Sequence, residues 1–241
     1  MRAISIIYRR ELSAYMRSPF SWVIAAVLLL VDGILFRGFA MVDKQLSAVV
    51  LEKFFYFSSG VAMAAGLLLS FRLISEERQM HSMVLLNTSP VRDSEIVLGK
   101  FLAALTFLTL LLALSIYIPL LIKVRGKITY SQIAVGYLGL YLIGAAALGI
   151  GMFASSLSRH QLVAGVLAFA ILILMCFLWQ FAKGLDGTVR EVFGELDLWW
   201  IHFQNGFMRG VLNLKDVVYY LGVTYFFLLL SVKTLEAKRW Q

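Results

Sequence analysis

The stretch Arg72–Lys100, RLISEERQMHSMVLLNTSPVRDSEIVLGK, decides the fold. It is a charged island between two runs, Phe54–Leu69 and Phe101–Ile122, that hold no charged residue. About 18 or more apolar residues cross the hydrocarbon of a bilayer as a helix. The polar island between two such crossings must then lie in water on one side. A bare connection between antiparallel helices needs only about 2–8 residues. This one is far longer and helix-prone, which points to a binding role.

Composition sets the class. Hydrophobic residues make up 61% of the 241 residues and charged residues 15%, against about 45–50% and about 25% in soluble domains. The mean hydropathy is +0.84. The chain reads as an all-α integral membrane protein, a single transmembrane domain over 1–241. A net charge of +8 could serve nucleic acid in a soluble chain. Here it reads as Lys and Arg at helix ends near anionic lipid, with no nucleic-acid partner. The single cysteine, Cys176, lies in an apolar run, so no intrachain disulfide forms. The first 17 residues hold four arginines and no short apolar core with a small-residue cleavage site, so no cleavable signal is read there.

Six spans are predicted, at about 20–41, 54–74, 97–122, 131–155, 161–182 and 215–235. An even number places both termini on one side. With the N-terminus inside, the cytosolic segments carry 12 of the 22 Lys and Arg residues. That bias is slight. The arginine cluster before the first span decides the orientation, because the first helix usually dominates it. Both termini are expected in the cytosol.

Within 2–17, Ile4, Ile7, Tyr8, Leu12 and Tyr15 recur at helical spacing while Arg9 and Arg10 lie off that stripe. The segment is predicted as an interfacial helix with its apolar side in acyl chains and its arginines on headgroups. Ser18-Pro19 ends it and starts the first span. The same pair recurs as Ser89-Pro90 inside the island. There, 75–87 continues the second span as a helix with Glu76 and Glu77 at its start and Met80, Met83 and Val84 on one side. A second helix begins after Pro90, giving a helical hairpin outside the membrane. On the other side, 192–212 is rich in Trp and Phe. It reads either as short helices dipping into the interface or as a plain aromatic belt.

Catalytic signatures are missing. There is no G-x-x-x-x-G-K-[ST], no H-E-x-x-H and no G-x-S-x-G, and His81, His160 and His202 fall in three separate loops. No metal site or cofactor is expected; Met80 and Met83 read as packing rather than copper ligands. Small residues form stripes at four-residue spacing, Ser58-Ala62-Gly66-Ser70 and Ala147-Gly151-Ser155, which let helix backbones approach closely. Asp32 and Arg37 are the charges within the first span. A carboxylate at the bilayer centre costs about 2.5–3.5 kcal/mol on insertion scales. Asp32 is therefore read as facing protein or water, either in a structural pair with Arg37 or as a polar element of a substrate path. Pro119 is expected to kink the third span.

The chain resembles the permease subunits of ABC transporters of the ABC-2 class, in particular the gliding-motility and multi-copper-enzyme-maturation subgroup. The residues that carry the resemblance are Tyr8-Arg9-Arg10-Glu11-Leu12 with Ser18-Pro19, and Ile74-Ser75-Glu76-Glu77-Arg78 leading to Leu85-Leu86 and Ser89-Pro90. They continue with Glu95-Ile96-Val97-Leu98-Gly99-Lys100, Ser155-Ser156-Leu157-Ser158-Arg159, His202-Phe203 and Phe207-x-Arg209-Gly210. Where many relatives have Gly-Thr before the Leu-Leu pair, this chain has Ser82-Met83.

The resemblance implies an interfacial connecting helix carrying Arg9, Arg10 and Glu11. It also implies a coupling helix whose Glu76, Glu77, Arg78, Met80 and Met83 dock on a separate ATPase dimer, with Arg159 in a second contact. ATP and Mg would be handled by that partner, so this chain would be a non-catalytic subunit. Further implied partners are a second copy or a homologous permease, membrane lipid, and an accessory periplasmic or membrane protein. Export across a prokaryotic inner membrane is implied as well. The alternative is a membrane scaffold or receptor that recruits a cytosolic partner without transport of its own.

Overall fold

A computed structural model describes residues 2–40, 46–79, 91–184 and 188–238. The amphipathic opening forms α1 (Arg2–Arg17). Ser18, in extended conformation, and Pro19 then start α2 (Pro19–Leu35), because proline fits the first helical turn where no N–H is needed. A π-helical turn, Phe36–Ala40, closes this first span. The second span is α3 (Ser47–Ser70), and a four-residue turn separates it from the short α4 (Ser75–Gln79). The third is α5 (Asp93–Ser115) followed by α6 (Tyr117–Arg125). The fourth and fifth are α7 (Tyr130–Leu157) and α8 (Gln161–Ala182). After α9 (Thr188–Glu195) and two single-turn helices at Trp200–Gln204 and Phe207–Arg209, α10 (Leu214–Lys238) is the sixth. Six helices are long and apolar enough to cross a membrane, and no strand occurs among the described residues.

Sequence reasoning placed α8 at its observed bounds and started α3 too late. The second helix begins at Ser47 and carries Glu52 and Lys53, because a helix does not stop where the hydrocarbon does. The expected break at Pro119 is present. Proline has no N–H for the carbonyl of Ser115 four residues back, and the helix is interrupted at Ile116. Of the predicted hairpin, 80–90 falls outside the described residues, and Met80 and Met83 with it.

The two small-residue stripes meet each other. A Cβ at Gly66 of α3 would lie 2.6 Å from the carbonyl oxygen of Gly144 and 3.1 Å from Ala147 Cβ on α7. Only glycine lets these backbones approach so closely. Gly151 is likewise closed off by Ser70. This seam is the centre of the bundle: 72% of the most apolar stretch of α7 is buried, against 22% in each of α2, α8 and α10. The peripheral helices pack on it by one face and leave the rest to lipid or to another chain.

Helix α1 departs from the expectation of burial in acyl chains. Ile7 and Tyr15 are buried against α5, and the Tyr15 ring stacks on Phe107 with centroids 5.4 Å apart. Gly99 makes the approach available, since a Cβ there would sit 2.9 Å from Ile7 Cγ2. The groove over Gly99 offers fixed packing contacts that fluid chains cannot match. Ile6, Arg9 and Met16 remain exposed.

Candidate functional site

Where α1, α4 and α5 meet, charged side chains from all three helices converge. Lys100 is only 2% exposed, although its side chain ends in a cation. Its Nζ donates to Glu11 Oε1 on α1 at 3.0 Å and forms an ion pair with Glu77 Oε1 on α4 at 3.0 Å. Arg10 bridges the same two carboxylates from the water side, at 2.7 Å to Glu11 and 2.8 Å to Glu77. Two cations and two anions thus compensate one another, which is the condition for holding a lysine this deep. Burial raises the carboxyl pKa of Glu11, but the Lys100 charge and the bonds from Arg10 and Lys100 outweigh it and hold it below the ordinary value. Burial also pushes the Tyr15 phenol up; its hydroxyl donates to the Leu69 carbonyl at 2.7 Å.

Helix α4 is tied to the bundle by two further sets of bonds. Ser155 Oγ, at the end of the α7 stripe, accepts from the backbone N–H groups of Ile74 and Ser75 at 3.0 Å each. Arg78 reaches across to the carbonyl of Ser156 at 2.7 Å, and Lys238 from α10 bonds the carbonyls of Ser156 and Leu157. The last turn of α7 leaves those carbonyls without helical partners, so cations are the natural caps. A polar cleft of about 470 Å³ opens beside the network, walled by Tyr15, Arg72, Glu76 and Lys100. Arg72 lies over the rings of Tyr15 and Phe20.

The residues predicted for docking therefore divide. Glu76 faces outward and Arg159 is exposed in the turn after α7, within electrostatic range of Arg78 and Lys238. Glu77 and Arg78 are turned into the chain. Arg9 is exposed, while Arg10 and Glu11 belong to the network. Sequence reasoning missed Lys100 and Ser155 as site residues. The one available signal was a lysine directly after a glycine at the start of a span, a place where a second helix can come close.

Asp32 and Arg37 do not come together. Asp32 is 3% exposed and accepts a 2.6 Å hydrogen bond from Ser58 on α3, whereas Arg37 is exposed. Five residues along a helix is about 140° of rotation, so the two side chains leave opposite sides.

On the opposite face the aromatic segment folds inward over α3, α7 and α10. Trp199 Nε1 donates to Ser59 Oγ, midway along α3, at 2.8 Å, and Phe207 lies against Gly139 of α7. Asp197 accepts from the backbone N–H groups of Trp179, Trp199 and Trp200; burial still raises its pKa above the ordinary carboxylate value. His202 Nδ1 lies 2.7 Å from Asp216 Oδ1. Its Nε2 donates to the Glu195 carbonyl at 3.0 Å, since a carbonyl oxygen only accepts. The ring stacks on Tyr219. This is the dipping arrangement rather than a plain belt, and protein covers its backbone.

A family profile described as ABC-2 family transporter protein matches residues 5–189. That stretch takes in most of α1, the first five spans and the whole charged network. The chain belongs to the ABC-2 transporter family. It is accordingly a transmembrane permease component of an ABC transporter, of a kind that is generally non-catalytic and works with an ABC ATPase subunit. A comparison with curated proteins finds no match. Among the described residues no group of three or more His, Cys, Asp or Glu side chains could hold a metal ion.

Proposed function

We propose that this ABC-2 permease couples ATP hydrolysis by a separate ATPase dimer to outward movement of a substrate across a prokaryotic cytoplasmic membrane. Its single domain spans 1–241, and α1, α4, the Ser158–His160 turn and both termini face the cytosol. The observation that carries this reading is the attachment of α4. Glu77 binds it to α1 and α5, Arg78 and the Ile74 and Ser75 N–H groups bind it to α7, and Glu76 is left facing outward. A push on the outer side of α4 reaches two spans through charge-assisted bonds rather than through a flexible loop. The concentration of Arg9, Arg10, Arg17, Arg159 and Lys238 at this end supports its cytosolic placement.

Glu76 and Arg159 are the docking charges in this reading, with Glu77 and Arg78 holding the lever rigid. The substrate path runs between two permease copies, where α3 and α8 present an apolar cleft of about 550 Å³ that includes Met63, Phe169, Phe177 and Trp199. That lining supports an apolar, lipid-like cargo.

The test is a pull-down of the tagged chain in mild detergent, with mass spectrometry and an ATPase assay on the eluate. A Walker-motif ATPase should co-purify with the wild-type chain and be lost from Glu76→Lys, whose elution profile should stay monodisperse. Recovery of the wild-type chain alone in several mild detergents would overturn the proposal in favour of a scaffold.

A further inference from the structure

Four spans bring polar side chains to one buried place between α2, α3, α5 and α7. Asp32 ends the inward stripe Ser21-Ala25-Leu28-Asp32 of α2. Ser58 of α3 donates to Asp32 Oδ1 at 2.6 Å. Ser115, the last residue of α5, lies 2.9 Å from the hydroxyl of Tyr137 on α7. Between these two pairs is a cavity of about 30 Å³, with Asp32, Ser58 and Ser115 in its wall. The rest of the lining includes Leu28, Val61, Leu108 and Leu111. A cavity of this size exceeds the roughly 10–15 Å³ that a single water needs.

Charge is the difficulty at this site. Among the described residues no cation lies within ion-pair distance of Asp32, and one hydroxyl is its hydrogen-bond partner. Arg37 on the same helix is exposed; α3 and α5 contribute hydroxyls, and Tyr137 on α7 is the other titratable group in electrostatic range. A bare carboxylate in hydrocarbon is costly, whereas the neutral acid offers an O–H that water or a serine can accept. Three side-chain oxygen groups fall short of the roughly six or more that a hard metal cation collects.

We propose that Asp32 is an intramembrane proton-binding site, neutral in the packed chain, with the adjoining water-sized cavity and the Ser115–Tyr137 pair as its exchange route. Release of the proton leaves a charge that the α2–α3 contact does not compensate, so the protonation state of Asp32 is tied to the seating of α2. This holds whether or not the cargo is apolar and whichever way it moves.

Dicyclohexylcarbodiimide reacts with protonated carboxyls in apolar surroundings, and the full-length chain in lipid nanodiscs supplies the target. Peptide mapping should find Asp32 modified at neutral pH, roughly tenfold or more above the half-exposed Glu236, with the yield falling in alkaline buffer. Infrared spectroscopy should show a protonated-carboxyl band at neutral pH that Asp32→Asn removes. If Asp32 is unmodified because the reagent cannot enter, that band alone supports the site. Modification no greater than at Glu236, together with no band assignable to Asp32, overturns it. Should Asp32→Asn not fold, the pH-dependent yield in the wild-type chain and a band shift on isotope labelling of aspartate decide the matter.

Discussion

At the end that carries α1, Lys100 is enclosed by two carboxylates that keep some contact with water, and Arg10 closes the group from outside with its guanidinium half in solvent. At the opposite end, His202 and Asp216 meet under Tyr219 and Tyr220, and both side chains are shut away. Both arrangements give a buried polar group a close partner, but they differ in what can replace that partner. Around Lys100 a competing charge can enter through the polar cleft and re-pair Glu77 or Arg10. Around His202 nothing can enter without unpacking rings. The first end suits an element that must answer to another subunit, and the second suits a fixed anchor for α10.

The sharpest way to break this contrast is His202→Leu. It leaves Asp216 buried with Asn213 as its remaining side-chain hydrogen-bond partner. Removing one member of a buried pair costs about 3–5 kcal/mol, and the loss should appear as a large drop in the melting temperature of the detergent-solubilised chain. Raising the salt should leave that drop unchanged, because the site is dry. A marginal effect would show that the aromatic packing alone anchors α10.

Lys100→Met should come next, towards the lower end of about 3–5 kcal/mol. Glu11 and Glu77 then keep Arg10 between them, and both are partly hydrated and can turn outward. Here the defect should depend on salt, and disulfide trapping between cysteines placed on α1 and α4 should show the helices separating. A defect as large and as salt-independent as that of His202→Leu would erase the distinction between the two ends.

The seam that joins the ends gives the third effect. Gly66→Val pushes a side chain into the Gly144 carbonyl, and overpacking of this kind costs about 1–3 kcal/mol. Thermal melting should fall by less than for His202→Leu and Lys100→Met, and α3–α7 cysteine cross-links should slow. Melting unchanged from wild type would mean that α3 and α7 can spread at no cost and do not form a rigid spine.

The spine is legible in the sequence alone, and the long-range polar pairs are not. Serine, alanine and glycine at intervals of four reveal a packing stripe in either helix, because one helical face is a local property of sequence. Pro119 announced its own break for the same reason. Lys100 and Glu11 lie 89 positions apart, and nothing local distinguishes a lysine that ends a span in water from one folded under an interfacial helix. Glu76 and Glu77 look alike in sequence, yet α4 turns one outward and the other inward. Asp32 was legible in part: its cost in the membrane required a partner, but the expected Arg37 lies on the other side of the helix, and Ser58 had no mark that set it apart from Ser59.

The smallest expected effect comes from acid. Lys100 and Arg10 hold Glu11 below the ordinary glutamate pKa of 4.5 in the folded chain, while in the unfolded chain it returns to that value. Its carboxylate therefore contributes stability in full above the ordinary value, and the contribution drains away as the pH falls through the depressed one. Melting curves of the wild type and Glu11→Gln should thus be separated at neutral pH and should converge as the buffer is acidified below the ordinary carboxylate range. The gap at neutral pH should be smaller than that of any of the three substitutions above, because Arg10 is half in water and Lys100 keeps Glu77. A gap that persists into strong acid would mean that Glu11 acts through packing rather than charge. The α1 end would then be as fixed as the His202 end, with no ionic contact for a partner subunit to reset.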